Sequence, residues 1–458
     1  MAAPLLMLVL LLGSCYSVVH GADMENYMLV ATSLLKSPAI CSDRKVTASK
    51  AAGATVPVIH RHGPCSPATS GAKTPSLSET LRRDQLRAAY IHAKVSSKNA
   101  TAELQQSAVT VPTASGLSLG TAEYVITVRV GTPPVAQTVN IDTGSDVSWV
   151  QCAPCAAGSC YSQEDALFDP AKSATYAAFS CGAAPCAQLG GYANGCASSG
   201  CQYAVQYGDG STTAGTYGSD TLALTSSAAA IRGFRFGCSR NAAGFVGRLD
   251  GLMGLGGDRE SLVSQTAATY GRAFSYCLPA PGSPGFLTLG AAGGASSGFA
   301  RTPMLRSTSV PTFYGVTIQA ITVAGTRLNV PSSVLSGGMV VDSGTVITQL
   351  PPTAYQALRA VFRQAMKAYP SAAPKSILDT CYDFSGFKTI VVPRVALTFS
   401  GGAVMDLDFS GIFFSSCLAF TAAGQDGDTG ILGNVQQRTF EVLYDVGGQT
   451  VGFRPGAC

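Results

Sequence analysis

The 458-residue sequence predicts an all-β protein built as two related β-rich lobes. Three observations carry that expectation. The composition is turn-rich, with 51 Gly and 24 Pro, and only 12% of residues are charged. Fifteen cysteines mark an oxidising compartment, where disulfides hold loop-rich β structure. A pattern of strand, turn, strand and acidic loop occurs twice, once in each half of the chain.

The chain begins "MAAPLLMLVLLLGSCYSVVHG", with an apolar run from Leu5 to Leu12 and small residues at Gly21 and Ala22. Residues 1–21 therefore read as a secretory signal peptide. That run is shorter than the ~18 residues of a membrane span, and no internal run approaches that length. The carboxyl end, "VGFRPGAC", carries no lipid-anchor signal. These features predict an exported protein with no membrane anchor.

Residues 22–118 are polar and show no strand alternation. They contain "LSETLRRDQLRAAYIHAKV", a basic amphipathic helix. This segment has 11 basic and 6 acidic side chains, net +5, and everything after it is net −1. Such a split predicts a pro-segment that docks on the body, with Arg82, Arg83, Arg87, Lys94 and Lys98 as candidate docking cations. Nucleic acid is the rival partner for a basic segment. The small surplus and the exported compartment argue against it.

Two lobes are expected over 119–300 and 301–458. All four histidines (His20, His60, His62, His92) precede them. A body without histidine excludes Ser-His-Asp and Cys-His catalysis and histidine-ligated zinc, which leaves carboxylates as acid–base groups.

The first copy of the repeat runs "YVITVRVGTPPVAQTVNIDTGSDVSWV" from Tyr124. The second runs from Tyr314 to "GGMVVDSGTVITQL". Each ends on Asp-Thr/Ser-Gly-Ser/Thr, and each is followed downstream by an apolar-apolar-Gly element, Leu252-Met253-Gly254 and Ile431-Leu432-Gly433. An isolated Asp-Thr-Gly is ordinary turn chemistry. Composition predicts only about 0.1 chance matches to the four-residue pattern, so two in equivalent contexts point to function.

Asp142 and Asp342 can meet where the two halves face each other. Two carboxylates near contact cannot both ionise, so they share a proton and split their apparent pKa values. One then acts as general base on a water and the other as general acid on a carbonyl, with no metal or cofactor. Gly144 and Gly344 allow backbone N–H groups close to the carboxylates. Ser145 and Thr345 can donate to the outer oxygens, while Thr143 and Ser343 can brace the loops.

Of the cysteines, twelve lie from Cys152 onward, an even number suited to six bridges. Cys152, Cys155, Cys160, Cys181, Cys186, Cys196 and Cys201 crowd one insertion, 152–201, and Cys238 follows. A disulfide knot is expected there, with connectivity open. Three other motifs carry little. Asp428-Thr429-Gly430 lacks the following hydroxyl, "GQDGDTG" lacks the bidentate Glu of a calcium loop, and "GLMGLGG" opens no phosphate loop. Asn99-Ala100-Thr101 is the only glycosylation sequon and lies in the expected pro-segment.

From Tyr124 to Phe453 the sequence resembles the pepsin-like aspartic proteases, a bilobal fold with the active-site cleft between its lobes. By that resemblance Asp142 and Asp342 are the catalytic pair. "YGDGST" is similar to the family's mobile flap, so Tyr207, Gly208, Asp209 and Gly210 would close over substrate. Trp149, the only tryptophan, stands where the family's flap-partnering Trp does, and the Tyr207 phenol could bond its indole N–H. The Cys-rich insertion, "VIHRHGPCSP", "FSYCLP", "LDTCYDF" and "ILGNVQQRTFEVLYDV" resemble the plant nepenthesin-like branch. That branch implies bridges Cys381–Cys417 and Cys277–Cys458. The resemblance further implies a monomeric endopeptidase made as a zymogen and acting on extended polypeptides at acid pH. Its compartment would be the apoplast, with the vacuole as alternative. A binding protein on the same fold, similar to plant inhibitors of cell-wall glycosidases, is the competing reading; a lectin-like β-protein would not explain the duplicated motif.

Overall fold

Strand β3 (Tyr124–Val130) and strand β4 (Val135–Asp142) form the antiparallel hairpin that leads into the first acidic loop, in register from Val125↔Asn140 to Val130↔Val135. They belong to a computed structural model that describes residues 24–35, 41, 54–67, 76–96 and 124–458, apart from 157, 226–229, 246–247, 281 and 291–297. The expected signal peptide, Cys15, Lys98, the Asn99 sequon and the boundary near 118 lie outside the described residues.

Alternation makes β3 a half-buried strand, whereas β4 is buried continuously from Gln137 to Asp142. The reason for continuous burial is a second partner. Gly251–Gly254 runs parallel to β4, setting Gly254 beside Asp142. The second half repeats this arrangement. Met339–Val341 pairs in parallel with Gly430–Leu432, and the Asp342 N–H donates to the Leu432 carbonyl at 3.1 Å. Each apolar-apolar-Gly element is thus the strand lying beside an acidic loop. The all-β, bilobal expectation holds, with long hairpins such as Thr212–Ala223 against Ile231–Ala243 building the first lobe.

The halves are woven together by the end of the chain. Glu441–Asp445 pairs antiparallel with Ala273–Cys277 on one side and with Thr450–Arg454 on the other. Phe274 and Tyr444 stack there at 4.5 Å between centroids, with Tyr314 at 4.8 Å from Tyr444. These rings join residues of both halves in one buried cluster.

The N-terminal segment departs from its sequence reading, which expected no strands. It supplies β1 (Tyr27–Ala31), paired with Thr389–Pro393, and β2 (Ala54–His60), inserted between Gly285–Leu289 and β3. β2 buries alternate residues Ala54, Val56, Val58 and His60. Pro57 disguised that period, since proline is rare in sheets. It is tolerated here because Ala54–Val58 is paired along one edge and only Ile59 and His60 reach β3. The basic helix is present as α1 (Leu77–Ser96).

Six bridges join the twelve cysteines from Cys152 onward: Cys152–Cys238, Cys155–Cys160, Cys181–Cys196, Cys186–Cys201, Cys277–Cys458 and Cys381–Cys417. Both pairs drawn from the resemblance are among them. A seventh, Cys41–Cys65, lies wholly inside the N-terminal segment. Among the described residues no His, Cys, Asp and Glu cluster could hold a metal ion, and no helix is long and apolar enough to cross a membrane.

Candidate active site

Asp142 and Asp342 are both fully buried, and one guanidinium joins them. Arg87 of α1 donates through Nη2 to Asp142 Oδ1 at 2.6 Å and to Asp342 Oδ1 at 2.8 Å; its Nε donates to Asp342 Oδ2 at 2.7 Å. The planar fork suits this geometry, because it can serve two carboxylates at once.

The two loops are near copies in their hydrogen bonding. Ser145 Oγ donates to Asp142 Oδ2 and Thr345 Oγ1 to Asp342 Oδ2, each at 2.6 Å. The Gly144 and Gly344 N–H groups donate to the Oδ1 atoms at 3.0 and 3.3 Å. Across the halves, the Ser343 N–H donates to Thr143 Oγ1 at 2.9 Å and the Thr143 N–H to Ser343 Oγ at 3.1 Å. This reciprocal brace fixes the spacing of the carboxylates. A Cβ on either glycine would strike the Arg87 guanidinium, and one on Gly144 would also lie 2.9 Å from Asp342 Oδ1.

Electrostatics follow from this burial. Desolvation would raise the Asp342 pKa, but the Arg87 charge and hydrogen bonds, then Thr345 and Gly344, hold it below the ordinary carboxylate value. Burial likewise works to lower Arg87, and the two carboxylates outweigh it, pushing its pKa well above the usual range. With Arg87 in place, Asp342 is held as a carboxylate.

Tyr207 to Ser211 forms a tight turn between Gly200–Gln206 and Thr212–Ala223. Its closing bond runs from Tyr207 N–H to the Ser211 carbonyl at 2.9 Å, Gly210 supplies the positive φ of 89°, and Asp209 Oδ1 accepts from Ser211 N–H and Oγ. The Trp149 indole N–H donates to the Tyr207 hydroxyl at 2.8 Å, in the pairing the sequence suggested. Gly208 lies against α1, where a Cβ would come 2.6 Å from that of Tyr90.

Sequence reasoning left open which cation meets the acidic pair. Arg82 and Arg83 instead pair with Glu79, and Lys94 lies over the Tyr90 ring. It missed Asp84 entirely. This buried carboxylate accepts from the Val346 and Ile347 N–H groups at 2.6 and 2.9 Å, just past the second loop. Leu81 packs on the same loop among Val346, Ile347, Leu378 and Val435, while Ala88 and Ile91 pack on Phe313, Val340 and Ile431. The signal was present as helical spacing, since Leu81, Asp84, Arg87, Ala88 and Ile91 fall on one face.

Residues 124–291 match the family model described as xylanase inhibitor N-terminal, and residues 313–455 match xylanase inhibitor C-terminal. Over 459 residues the chain is 43% identical to an aspartyl protease family protein of Arabidopsis thaliana, covering 97% of this chain and 95% of that protein. This chain belongs to the pepsin-like aspartyl protease family. Within that family it is also 37% identical over 355 residues to aspartic proteinase nepenthesin-2 of Nepenthes gracilis, covering 74% of this chain and 78% of that one. The plant nepenthesin-like branch is therefore its place in the pepsin-like aspartyl proteases. Among solved structures, soybean basic 7S globulin superposes with a TM-score of 0.58 at 22% identity, over 72% of this chain and 90% of that one, which speaks to the pepsin-like fold.

Proposed function

We propose that the chain is the zymogen of an exported aspartic endopeptidase, with residues 1–21 as signal peptide, 22–118 as pro-segment, and 119–300 and 301–458 as catalytic lobes. The observation that carries this reading is the matched pair of buried carboxylates, each served by a hydroxyl and a glycine N–H and braced across the halves. Once Arg87 leaves, the two carboxylates share one proton. The ionised carboxylate takes a proton from a water, whose oxygen attacks the scissile carbonyl, while the protonated one donates to the carbonyl oxygen. Collapse of the tetrahedral intermediate breaks the C–N bond as the amide nitrogen is protonated, and water ends up split between the two products. The turn bearing Tyr207 closes over an extended polypeptide in the cleft. Asp142, Asp342 and this flap need no metal or cofactor, and the expected compartment is the apoplast or vacuole.

In this reading the docked segment keeps the enzyme latent, and acid releases it. Protonation of the dyad removes the charge that Arg87 answers.

The family models named for xylanase inhibitors favour a second reading, a binding protein on the same fold. The intact pair of acidic loops and the Trp149–Tyr207 bond favour the enzyme. The test is acid conversion of the purified chain. Dropping it from pH 7 to about pH 4 should produce self-cleavage between residues 105 and 120 and pepstatin-sensitive hydrolysis of denatured protein. Asp142→Asn and Asp342→Asn should fold and abolish both. Activity in either variant above a few per cent removes the two-carboxylate assignment, and no wild-type hydrolysis leaves the binding reading.

A further inference from the structure

The Cys-rich insertion does more than decorate the first lobe. Its short helix Ala184–Gln188 leads into the turn Gly190–Tyr192, and the bridges Cys181–Cys196 and Cys186–Cys201 pin both sides of that turn. Leu189 and Cys186 are buried in the cluster that contains Trp149, Tyr203, Tyr207 and Phe245, and Tyr192 packs against the same cluster. The turn is thus rooted in the flap's own foundation.

From that root Tyr192 reaches the cleft. It lines a cavity together with Gly144 and Ser145 of the first acidic loop, and with Val205 and Tyr207 beneath the flap. Tyr192 is half-buried, and desolvation, with the Asp146 charge nearby, raises its phenol pKa well above the ordinary value. Thr312 belongs to the second half and donates to Asp146 at 2.6 Å. Tyr192 therefore reaches from the insertion to the first acidic loop, forming a wall beside the first carboxylate. Tyr90 of α1, half-buried, lines the same cavity from the opposite side, beside Arg87 and Ile91.

We propose that Tyr192 is a specificity-determining residue, forming with Val205 and Tyr207 a subsite next to the scissile bond that takes a large aromatic or apolar substrate side chain once Tyr90 and the rest of α1 have left the cavity they line. The proposal rests on the protease reading above. An aromatic wall gives ring–ring contact and excludes water from the pocket, which rewards a large apolar side chain over a small one. The insertion then sets peptide preference from outside the two catalytic loops.

Two measurements test it. The first compares kcat/KM for paired peptides carrying Phe or Ala at each position around the cleaved bond, using acid-converted wild type, Tyr192→Ala, Tyr192→Leu and Tyr192→Phe. At one position beside the bond, Tyr192→Ala should lower the Phe-to-Ala ratio about tenfold, Tyr192→Leu less, and Tyr192→Phe less than about twofold. An unchanged ratio in Tyr192→Ala overturns the proposal, as does an equal loss on both peptides, which would mark a merely structural role. The second needs no activity. In the intact chain at pH 7, Tyr192→Ala should speed amide hydrogen exchange of residues 77–96 about three- to tenfold, and should have no further effect in a Tyr90→Ala background. Additive effects of the two substitutions overturn the shared pocket. If wild type cleaves no peptide yet the substitutions couple, the protease reading falls and the aromatic pocket stands.

Discussion

Replacing Arg87 by alanine should convert a latent chain into one that is active before any cut is made. The guanidinium is one-tenth exposed at most and makes three short hydrogen bonds to two fully buried carboxylates. Removing one partner of a buried ion pair costs about 3–5 kcal/mol, most of it from charge left without an answer. At about 1.4 kcal/mol per factor of ten, the fraction of chains with α1 displaced should rise by roughly two to three and a half orders of magnitude. Asp84, Leu81, β1 and β2 still tether the segment, so the chain should remain whole and folded. Arg87→Lys should fall between the two, because an ammonium keeps the charge and loses the fork. The assay is hydrolysis of a quenched peptide at about pH 5.5, begun immediately after transfer from pH 7, with mass spectrometry verifying an uncut chain. Latency in Arg87→Ala equal to wild type would refute the argument that this ion pair holds the cleft shut.

Two further outcomes follow from the same geometry. Asp146 is buried, and desolvation outweighs its bonds from Thr312 and Asp258, raising its pKa to about 6. The native state thus binds this proton more tightly than the unfolded chain, so the stabilisation is complete below about pH 4 and is lost as pH rises through 6. A shift of about two units corresponds to roughly 3 kcal/mol. Asp146→Asn should remove that share of the difference between urea unfolding at pH 4 and at pH 7, and an unchanged difference would contradict it. Tyr207→Phe deletes one hydrogen bond to Trp149 and should cost turnover a factor consistent with about 0.5–1.5 kcal/mol, whereas Tyr207→Gly should cost far more through a loose lid. Equal steady-state kinetics in wild type and both variants would reduce the turn to an ordinary hairpin.

The acidic loops were readable because their chemistry is local. A carboxylate ending an apolar strand, followed by glycine and a hydroxyl, carries its own hydrogen-bond partners within three residues, as Ser145 and Thr345 do. Repetition of that pattern supplied the two halves, and the spacing of apolar residues supplied α1. The turn from Tyr207 to Ser211 was legible for the same reason, being closed by Tyr207, Asp209, Gly210 and Ser211 alone.

What the sequence by itself determined is therefore the set of groups whose partners lie nearby in the chain: the two acidic loops, the tight turn after Tyr207, the amphipathic helix and the number of bridges in the body. Only the tertiary structure decided which arginine meets the carboxylates, where Asp84 docks, how the insertion's cysteines pair, and that β2 lies in a sheet with residues from 285–289 and 124–125. Those outcomes depend on register and rotation between elements far apart in sequence. Arg82, Arg83 and Arg87 carry the same charge, and only the angle at which α1 crosses the cleft turns Arg87 toward Asp142 and Asp342 while leaving the other two on Glu79.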